Sequence, residues 1–202
     1  GRVGFVVVDE AHHAGAAKGG SRSSYTALPR VLERLGGPVA LAVTATAEEG
    51  VAREICRLLS INADDGVVVD RSVRENLHVV DYRGLHDREA ALVSVVATGM
   101  KTVVYVNSRE RSVSLARMLR KNVPELGQRI AFYNAGLTRE DRFRVEAAFR
   151  DGRLSCIVST SAFGEGVNLP DIRNVVLYHM PFGSIEFNQM SGRAGRDGDD
   201  AW

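Results

Sequence analysis

The chain has 202 residues, of which 45% are hydrophobic and 25% charged, with a formal net charge of +1 at pH 7. This length allows one large domain or two small ones with buried cores, and the balanced charge excludes a basic block that would by itself indicate nucleic acid. No apolar run approaches the roughly 18 residues of a membrane span, so we expect no membrane association. Cys56 and Cys156 lie far apart without metal-ligand spacing, which predicts a reducing compartment, the cytoplasm.

The first part of the chain alternates strand and helix patterns. Phe5–Val8 is a β-branched run without polar alternation, which predicts a strand buried on both faces of a parallel sheet. A helix is predicted around 26–35 and a second strand at 39–43. Thr46 and Glu49 have the spacing of a capping box and predict the start of another helix. The apolar face of that helix comprises Val51, Ile55, Leu58 and Leu59.

A polar stretch from Asn62 to Arg83 separates two parts of the chain. Its short apolar run at 67–69 predicts a strand, and we expect a domain boundary near Asn76, giving domains 1–76 and 77–202. Beyond it, strands are predicted at 102–106, 129–133, 155–159 and 175–179, with helices at 87–98, after Ser108, from Thr138 to Asp151 and at 184–191. Single helices between strands predict right-handed βαβ units and an α/β fold with mostly parallel sheets.

Short polar side chains follow nearly every predicted strand. The carboxyl ends of parallel strands meet at one edge of a sheet, where ligands bind in open α/β folds. The segments at these ends are 9–12, 44–46, 107–109, 134–136, 160–162 and 179–181. Hydroxyl, amide and carboxylate groups of this kind suit phosphates and a hydrated metal ion.

Asp9 and Glu10 form the first candidate site. An aspartate directly after a buried strand can hold Mg²⁺, which keeps several waters and takes one or two carboxylates. The adjacent glutamate can then orient or deprotonate an attacking water. An acidic pair after a strand can also simply begin a surface loop, but the apolar run before the pair and Ala-His after it favour the catalytic interpretation.

Two further runs carry candidate phosphate ligands. In Gln189–Gly198, Arg193 and Arg196 are three residues apart, so in a helical turn they would project from one side. Closely spaced guanidinium groups suit triphosphate oxygens, although a lone RxxR is often a solvated turn. The run 159–170 combines hydroxyls with closely spaced glycines, whose backbone N–H groups can approach phosphate or sugar.

In this order and spacing, the runs resemble the motifs of superfamily 2 helicases, and among these the RecQ-like DNA helicases. The segments that carry the resemblance are 9–12 (DEAH, Walker B), 43–47 (motif III), 71–77 (the crossing between two lobes), 104–109 (motif IV), 133–137, 160–170 (motif V) and 189–198 (motif VI). The resemblance implies tandem RecA-like lobes, with the first one truncated in this chain. A similar motor also occurs fused to RecJ-type exonucleases, and that origin stays open.

The resemblance also implies roles for individual residues. Asp9 would hold Mg²⁺, Glu10 would act on the hydrolytic water, and Arg193 and Arg196 would reach the γ-phosphate of ATP as arginine fingers. Gln189 would contact the phosphates or His12. Gly166 and Asn168 would contact the nucleotide, and Thr44 and Thr46 would couple its state to DNA. The candidates for the phosphates of single-stranded or duplex DNA are Asn107, Ser108, Gly136, Ser159 and Thr160.

The family's phosphate-binding P-loop, GxxxxGK[ST], does not occur in the 202 residues. Gly99–Thr102 lacks the glycine before Lys101 and precedes a strand, so we interpret it as a turn. The chain also begins at Gly1 next to an apolar strand. We therefore expect a fragment of an ATP-dependent DNA helicase that is inactive alone and needs an N-terminal Walker A segment of the same parent chain. The alternative is a non-catalytic nucleic-acid-binding or regulatory module. A dinucleotide enzyme is disfavoured because no GxGxxG follows a strand.

Overall fold

A computed structural model of the chain describes residues 3–15, 23–45, 49–70, 72–163 and 169–202. The chain divides into two compact units, Gly1–Ser72 (unit 1) and Val73–Trp202 (unit 2). The division falls a few residues before the expected boundary near Asn76, because the side chains of Arg74 and Asn76 hydrogen-bond to backbone carbonyls within unit 2. That the two parts are functional domains stays a prediction.

The described part of unit 1 contains two parallel strands and four helices. The strands β1 (Phe5–Val8) and β2 (Val39–Ala42) pair in register, with Phe5 opposite Val39 and Val8 opposite Ala42. The helices are α1 (His12–Gly15), α2 (Ser23–Thr26), α3 (Leu28–Arg34) and α4 (Glu49–Leu59). The core between strands and helices contains Val8, Ala11, Leu32, Ile55 and Leu59. As predicted, α4 turns an apolar face towards that core.

The prediction that β1 is buried on both faces is wrong for the described residues. Phe5 and Val7 are 56% and 57% exposed, and their partners Val39 and Leu41 are exposed as well. The core of unit 1 packs against the other face of the pair, which carries Val6 and Val8. An unbroken β-branched run thus forms the predicted strand but does not decide how many faces are covered.

Unit 2 is built on a four-stranded parallel sheet. Its strands are β3 (Thr102–Tyr105), β4 (Ile130–Tyr133), β5 (Cys156–Ser159) and β6 (Asn174–Leu177), and their order across the sheet is β4-β5-β3-β6. The two central strands, β3 and β5, are buried along their whole length, because each lies between two other strands and hydrophobic clusters pack against the sheet. Tyr105 lies opposite Ser159 and Leu177, so all four strands end at one edge.

Three helices of unit 2 begin at short polar residues that cap them. Asp87 caps α5 (Arg88–Ala97), Ser108 caps α6 (Arg109–Asn122) and Thr138 caps α7 (Arg139–Arg150), each accepting a hydrogen bond from a backbone N–H of the first turn. A 3₁₀ helix at Pro124–Arg129 leads into β4, and α8 spans Ser184–Ser191. The predicted starts after Asp87, Ser108 and Thr138 are therefore confirmed.

Two hydrophobic cores lie on opposite faces of this sheet. One contains Leu92, Val104, Leu115, Leu119 and Val158 and is covered by α5 and α6. The other contains Val103, Tyr105, Phe149, Ile157 and Met190 and is covered by α7 and α8. Because side chains alternate along a strand, Tyr105 faces the second core, on the side of α8 and the residues that follow it.

The predicted strand at 67–69 does not form. These residues have no regular secondary structure, and Val68 is 96% exposed, so the run has no partner strand. Among the described residues, no helix combines the length and the apolar character that crossing a membrane would require.

Candidate functional site

Asp9, Glu10, His12 and Thr44 come together at the carboxyl edge of the unit 1 strands. Asp9 directly follows β1, and its Oδ1 accepts a hydrogen bond from the Glu10 N–H at 2.8 Å. The Tyr25 hydroxyl donates to the Asp9 carbonyl at 3.1 Å. Glu10 has φ +49°, a left-handed conformation that a residue with a side chain adopts at an energetic cost. Such strain is found preferentially where a side chain must be held in a working position.

His12 connects the acidic pair to the residues after β2. Its side chain is buried, and Nδ1 lies 3.0 Å from Thr44 Oγ1 and 3.2 Å from Glu10 Oε2. Burial, reinforced by the neighbouring His13, lowers the pKa of His12 below its usual 6.5, while Glu10 raises it. His12 is therefore mainly neutral at pH 7. A carboxylate only accepts hydrogen bonds, so a hydrogen bond between His12 and Glu10 requires a proton on Nδ1 of His12.

The carboxylates of Asp9 and Glu10 are compatible with a Mg²⁺ ion. Both residues are exposed, and Mg²⁺ is commonly bound through one or two carboxylates, several waters and the phosphates of a nucleotide. Within the described ranges, no group of three or more His, Cys, Asp or Glu side chains could enclose a metal ion.

In unit 2, Arg193 and Arg196 lie in the segment 192–198, which we call the arginine turn. Helix α8 ends at Ser191, so the two arginines lie in a series of turns and not in the helix. Arg196 Nε donates to the Gly192 carbonyl at 3.1 Å. The Gly195 N–H donates to the Ile172 carbonyl at 2.8 Å, which ties the turn to the chain just before β6.

Tyr105 brings the arginine turn to the end of the central strand β3. The Arg193 side chain hydrogen-bonds to the Tyr105 phenol. The phenol in turn donates to the Phe163 carbonyl at 3.2 Å. Burial raises the pKa of Tyr105 to about 12, while Arg193 and Arg196 act in the opposite direction. One buried phenol thus joins the segments after β3, after β5 and after α8.

The arginines of this region repel one another. Burial lowers the pKa of Arg196, and so do the positive charges of Arg193 and Arg74. The guanidinium group nevertheless stays protonated at neutral pH. Three guanidinium groups close enough to influence one another are stabilised by a bound polyanion, and the planar donor fork of arginine matches phosphate oxygens.

Gly195 is a position in the arginine turn that strongly favours glycine. Its φ is +55°, and an added Cβ would lie 2.7 Å from Asn76 Nδ2, 2.7 Å from the Asp199 carbonyl oxygen and 2.9 Å from Ala201 Cβ. Alanine would therefore meet both backbone strain and a collision.

We expect Gly195→Ala to destabilise unit 2. The left-handed backbone contributes about 1–2 kcal/mol and overpacking about 1–3 kcal/mol. The measurement is urea unfolding followed by the fluorescence of Trp202, the only tryptophan, which belongs to unit 2. Gly152→Ala is the matched control, because Gly152 also has a positive φ (+73°) but no atom within 4 Å of an added Cβ. Equal losses of stability in the two variants would contradict the close packing around Gly195.

The candidate nucleic-acid ligands all belong to the segments at the carboxyl edge of the unit 2 sheet. Asn107, Ser108 and Gly136 are exposed, whereas Thr160 is half-buried. Ser159 is completely buried, and its hydroxyl donates to the Thr160 carbonyl at 2.7 Å. The exposed residues are therefore better placed than Ser159 for direct contact with a phosphate.

Buried Asn134 shapes the loop that contains Gly136. Its Nδ2 donates to Ser112 Oγ at 2.9 Å, and its Oδ1 accepts from the Gly136 N–H at 2.9 Å. Any Cβ at position 136 would lie 3.0 Å from that same Oδ1. A buried amide thus fixes the loop between β4 and α7, which leaves the neighbouring backbone at the open edge.

Some predicted site residues lie outside the described part of the chain or apart from the clusters. Thr46, Gly166 and Asn168 fall in segments that the structure does not describe. Gln189 is exposed on α8, just before the arginine turn. Because units 1 and 2 are each described by themselves, a contact of Gln189 with His12 stays a prediction.

Sequence reasoning did not single out three residues that organise the unit 2 cluster, namely Tyr105, Arg74 and Asn76. Strand alternation could have pointed to Tyr105, since a tyrosine at the end of a buried strand needs a partner for its hydroxyl. Arg74 and Asn76 give no comparable signal, because their partners are more than 100 residues away in the sequence, with separations of 120 and 119.

Residues 87–198 match the helicase conserved C-terminal domain, and the chain belongs to that family. The chain is 31% identical over 214 residues to the human ATP-dependent DNA helicase Q4. The aligned region covers 98% of this chain and 18% of the relative. It is 30% identical over 197 residues to the ATP-dependent DNA helicase RecQ of Pasteurella multocida, with coverages of 97% and 30%. The predicted resemblance to RecQ-like superfamily 2 helicases is confirmed.

A solved structure shares the fold. The helicase MrfA, in a crystal structure bound to DNA and AMPPNP, matches with a TM-score of 0.72 at 20% identity, over 98% of this chain and 29% of the other. The predicted RecA-like α/β fold is thereby confirmed. The chain spans less than a third of each of the two sequence relatives named above, so the activity of a whole helicase is not transferred to it by similarity alone.

Proposed function

We propose that the chain is part of an ATP-dependent RecQ-like DNA helicase that couples ATP hydrolysis to movement along single-stranded DNA and to duplex unwinding. The observation that carries the proposal is the pair Arg193 and Arg196 near Tyr105 at the end of β3, where a bound anion would offset their mutual repulsion. The Q4 and RecQ relatives, named as ATP-dependent DNA helicases, support triphosphate as that anion and DNA as the polymer.

In the proposed mechanism residues of both units act on ATP. Asp9 would hold Mg²⁺, whose charge neutralises phosphate oxygens, while Glu10 orients and accepts a proton from the attacking water. Neutral His12 ties Glu10 to Thr44 and so links the site to the segment after β2. Arg193 and Arg196 would stabilise the charge that develops on the transferred phosphoryl group.

DNA would lie along the carboxyl edge of the unit 2 sheet. Exposed Asn107, Ser108 and Gly136 offer an amide, a hydroxyl and a backbone N–H, which suit backbone phosphates without a basic surface. Changes in the nucleotide state would then alter the affinity for DNA, because the segment after β5 meets the arginine turn through Tyr105. Recognition of this kind is independent of base sequence.

We propose that the P-loop comes from another part of a longer polypeptide, which we call the parent polypeptide. The absence of GxxxxGK[ST] from the 202 residues and the limited share of the relatives that they span support this. The P-loop is the main cradle for the β- and γ-phosphates. Without it, the carboxylates and arginines have no fixed substrate to act on.

The proposal is tested by measuring ATP hydrolysis with and without single-stranded DNA. We expect no measurable turnover from the 202-residue chain and DNA-stimulated turnover from the parent polypeptide. Turnover by the 202-residue chain that Glu10→Gln abolishes would contradict the need for a separate P-loop. A parent polypeptide that binds DNA without hydrolysing ATP would instead identify the chain as a non-catalytic nucleic-acid-binding or regulatory module.

A further inference from the structure

The arginine turn directly follows the C-terminal end of α8, where helix carbonyls lack partners within the helix and the helix dipole favours a cation. Arg74 supplies both a cation and donors. Its Nη1 donates to the Gly192 carbonyl at 3.3 Å, and its Nη2 donates to the Ala194 carbonyl at 2.8 Å and also to the Gly195 carbonyl. One guanidinium group thus binds three carbonyls of the turn.

Asn76 holds the same turn from a second direction. Its Nδ2 donates to the Gly195 carbonyl at 2.7 Å and to the Asp199 carbonyl at 2.8 Å. The backbone continues this attachment, since the Ala201 N–H donates to the Asn76 carbonyl at 2.9 Å and Leu77 forms a parallel bridge with Ala201. The segment 74–77 is therefore fastened to the arginine turn and to the residues that follow it.

The contacts of Arg74 differ in kind from those of Asn76. The carbonyls that Arg74 binds belong to Gly192 and Ala194, on either side of Arg193, and to Gly195, directly before Arg196. When these peptide groups are fixed, the backbone positions from which the Arg193 and Arg196 side chains project are fixed as well. Arginine alone can do this with one planar fork, whereas a lysine carries all of its donors on one nitrogen.

We propose that Arg74 is a positioning residue, which fixes the arginine turn so that Arg193 and Arg196 are aligned for the phosphates before the nucleotide binds. The proposal rests on the proposed function of those two arginines. Arg74 itself acts through the backbone, because its Nη1 and Nη2 are already engaged by carbonyls. Preorganised cations avoid reorganisation during the reaction, which is the main advantage of a rigid site.

Asn76 and the backbone bridge also hold the arginine turn, so a positioning role of Arg74 can be distinguished from a purely structural one. The bonds of Asn76 and the Leu77–Ala201 bridge do not involve Arg74. We therefore expect Arg74→Gln to leave unit 2 folded while the arginine turn loses its fixed geometry. The matched control is Arg83→Gln, because Arg83 is an exposed arginine of the same polar stretch whose side chain pairs with Asp81.

The first arm of the test needs no catalysis. In the 202-residue chain, the side-chain Nε–Hε signal of Arg196 is followed by NMR, since this group donates to the Gly192 carbonyl. We expect Arg74→Gln to shift that signal and speed its exchange with water at least tenfold, and Arg83→Gln to leave it unchanged. An Arg196 signal identical in wild type and Arg74→Gln would overturn the proposal.

The second arm measures ATP hydrolysis by the parent polypeptide. We expect Arg74→Gln to lower kcat by about 10²-fold, the effect of an error of about 1 Å in the position of a reacting group, with KM for ATP within twofold of wild type. Arg74→Lys, which keeps the charge but not the fork, should recover only part of kcat. An unchanged kcat, or a kcat that falls only in proportion to the folded fraction reported by Trp202, would refute a positioning role.

Failure of the proposed function is recognised separately. If Arg196→Ala leaves hydrolysis unchanged, the arginines are not fingers and the proposed function fails, whatever Arg74→Gln does. If Arg196→Ala abolishes hydrolysis and Arg74→Gln does not alter it, only the positioning role is wrong. Should unit 2 of Arg74→Gln fail to fold, Arg74→Lys is measured in both arms, and wild-type values in both overturn the proposal.

Discussion

Replacing Arg196 with alanine in the parent polypeptide is expected to lower ATP hydrolysis by about 10³–10⁵-fold, the contribution of an arginine finger in related nucleotide hydrolases. The binding of ATP should be largely retained, because the P-loop and Mg²⁺ provide most of the ground-state contacts. The charge on the transferred phosphoryl group develops only in the transition state, so loss of Arg196 acts on kcat.

The structure gives this prediction its control. Arg196 Nε donates to the Gly192 carbonyl, and the folded fraction of the variant is measured separately, so that a loss of stability is distinguished from a loss of catalysis. Arg153→Ala is the comparison variant, because Arg153 is an exposed arginine of unit 2 that pairs with Asp151. The measurements are steady-state ATPase activity, equilibrium binding of a nucleotide analogue and Trp202 fluorescence. A weakened affinity with unchanged kcat would show a role in binding and not in catalysis.

Replacing Glu10 with glutamine is expected to lower hydrolysis in the same polypeptide by about 10²–10⁴-fold, the range for loss of a general base. The amide has nearly the same shape as the carboxylate but cannot accept a proton from water. Glu10 is held in a left-handed conformation after β1, and its Oε2 lies 3.2 Å from His12 Nδ1. A position that bears such strain is more consistent with a catalytic side chain than with a surface loop.

The informative comparison for Glu10→Gln is Glu49→Gln on α4. Glu49 is an exposed glutamate of unit 1 whose carboxylate pairs with Arg53 on the same helix, so we expect wild-type activity. Single-turnover hydrolysis of ATP separates the chemical step from product release. If Glu10→Gln slows product release alone, the base must be another group.

Local signals in the sequence determined most of the fold. The central strands β3 and β5 were predictable because short runs rich in β-branched residues between helical patterns are typical of strands in parallel α/β folds. Their burial on both faces required the structure, as the exposed face of β1 shows. The helix starts after Ser108 and Thr138 were predictable because a cap acts on backbone groups within its own turn. The strand predicted at 67–69 does not form, because a local pattern does not supply a partner strand. A strand needs a partner, and Val68 is almost fully exposed.

Some residues of the candidate site were likewise predictable from local sequence, whereas others required the structure. Asp9 and Glu10 were identifiable because an acidic pair after a buried strand is a feature of neighbouring residues. Arg193 and Arg196 were identifiable from their spacing and from the resemblance. Helix α8 ends at Ser191, as predicted, so the two arginines lie in the turns that follow it, where Gly195 takes a left-handed conformation. Their partner Tyr105 and the exposed face of β1 and β2 also required the structure.

The sequence by itself determined the alternation of strands and helices, the family resemblance and the residue types available for phosphate chemistry, because these are encoded within short windows of the chain. Only the tertiary structure decided which carbonyls Arg74 binds, where Tyr105 meets Arg193 and which face of unit 1 is covered. Arg74 and Ala194 are separated by 120 residues. A contact of that kind depends on the packing of the whole of unit 2, since no local pattern specifies which distant backbone a side chain will reach.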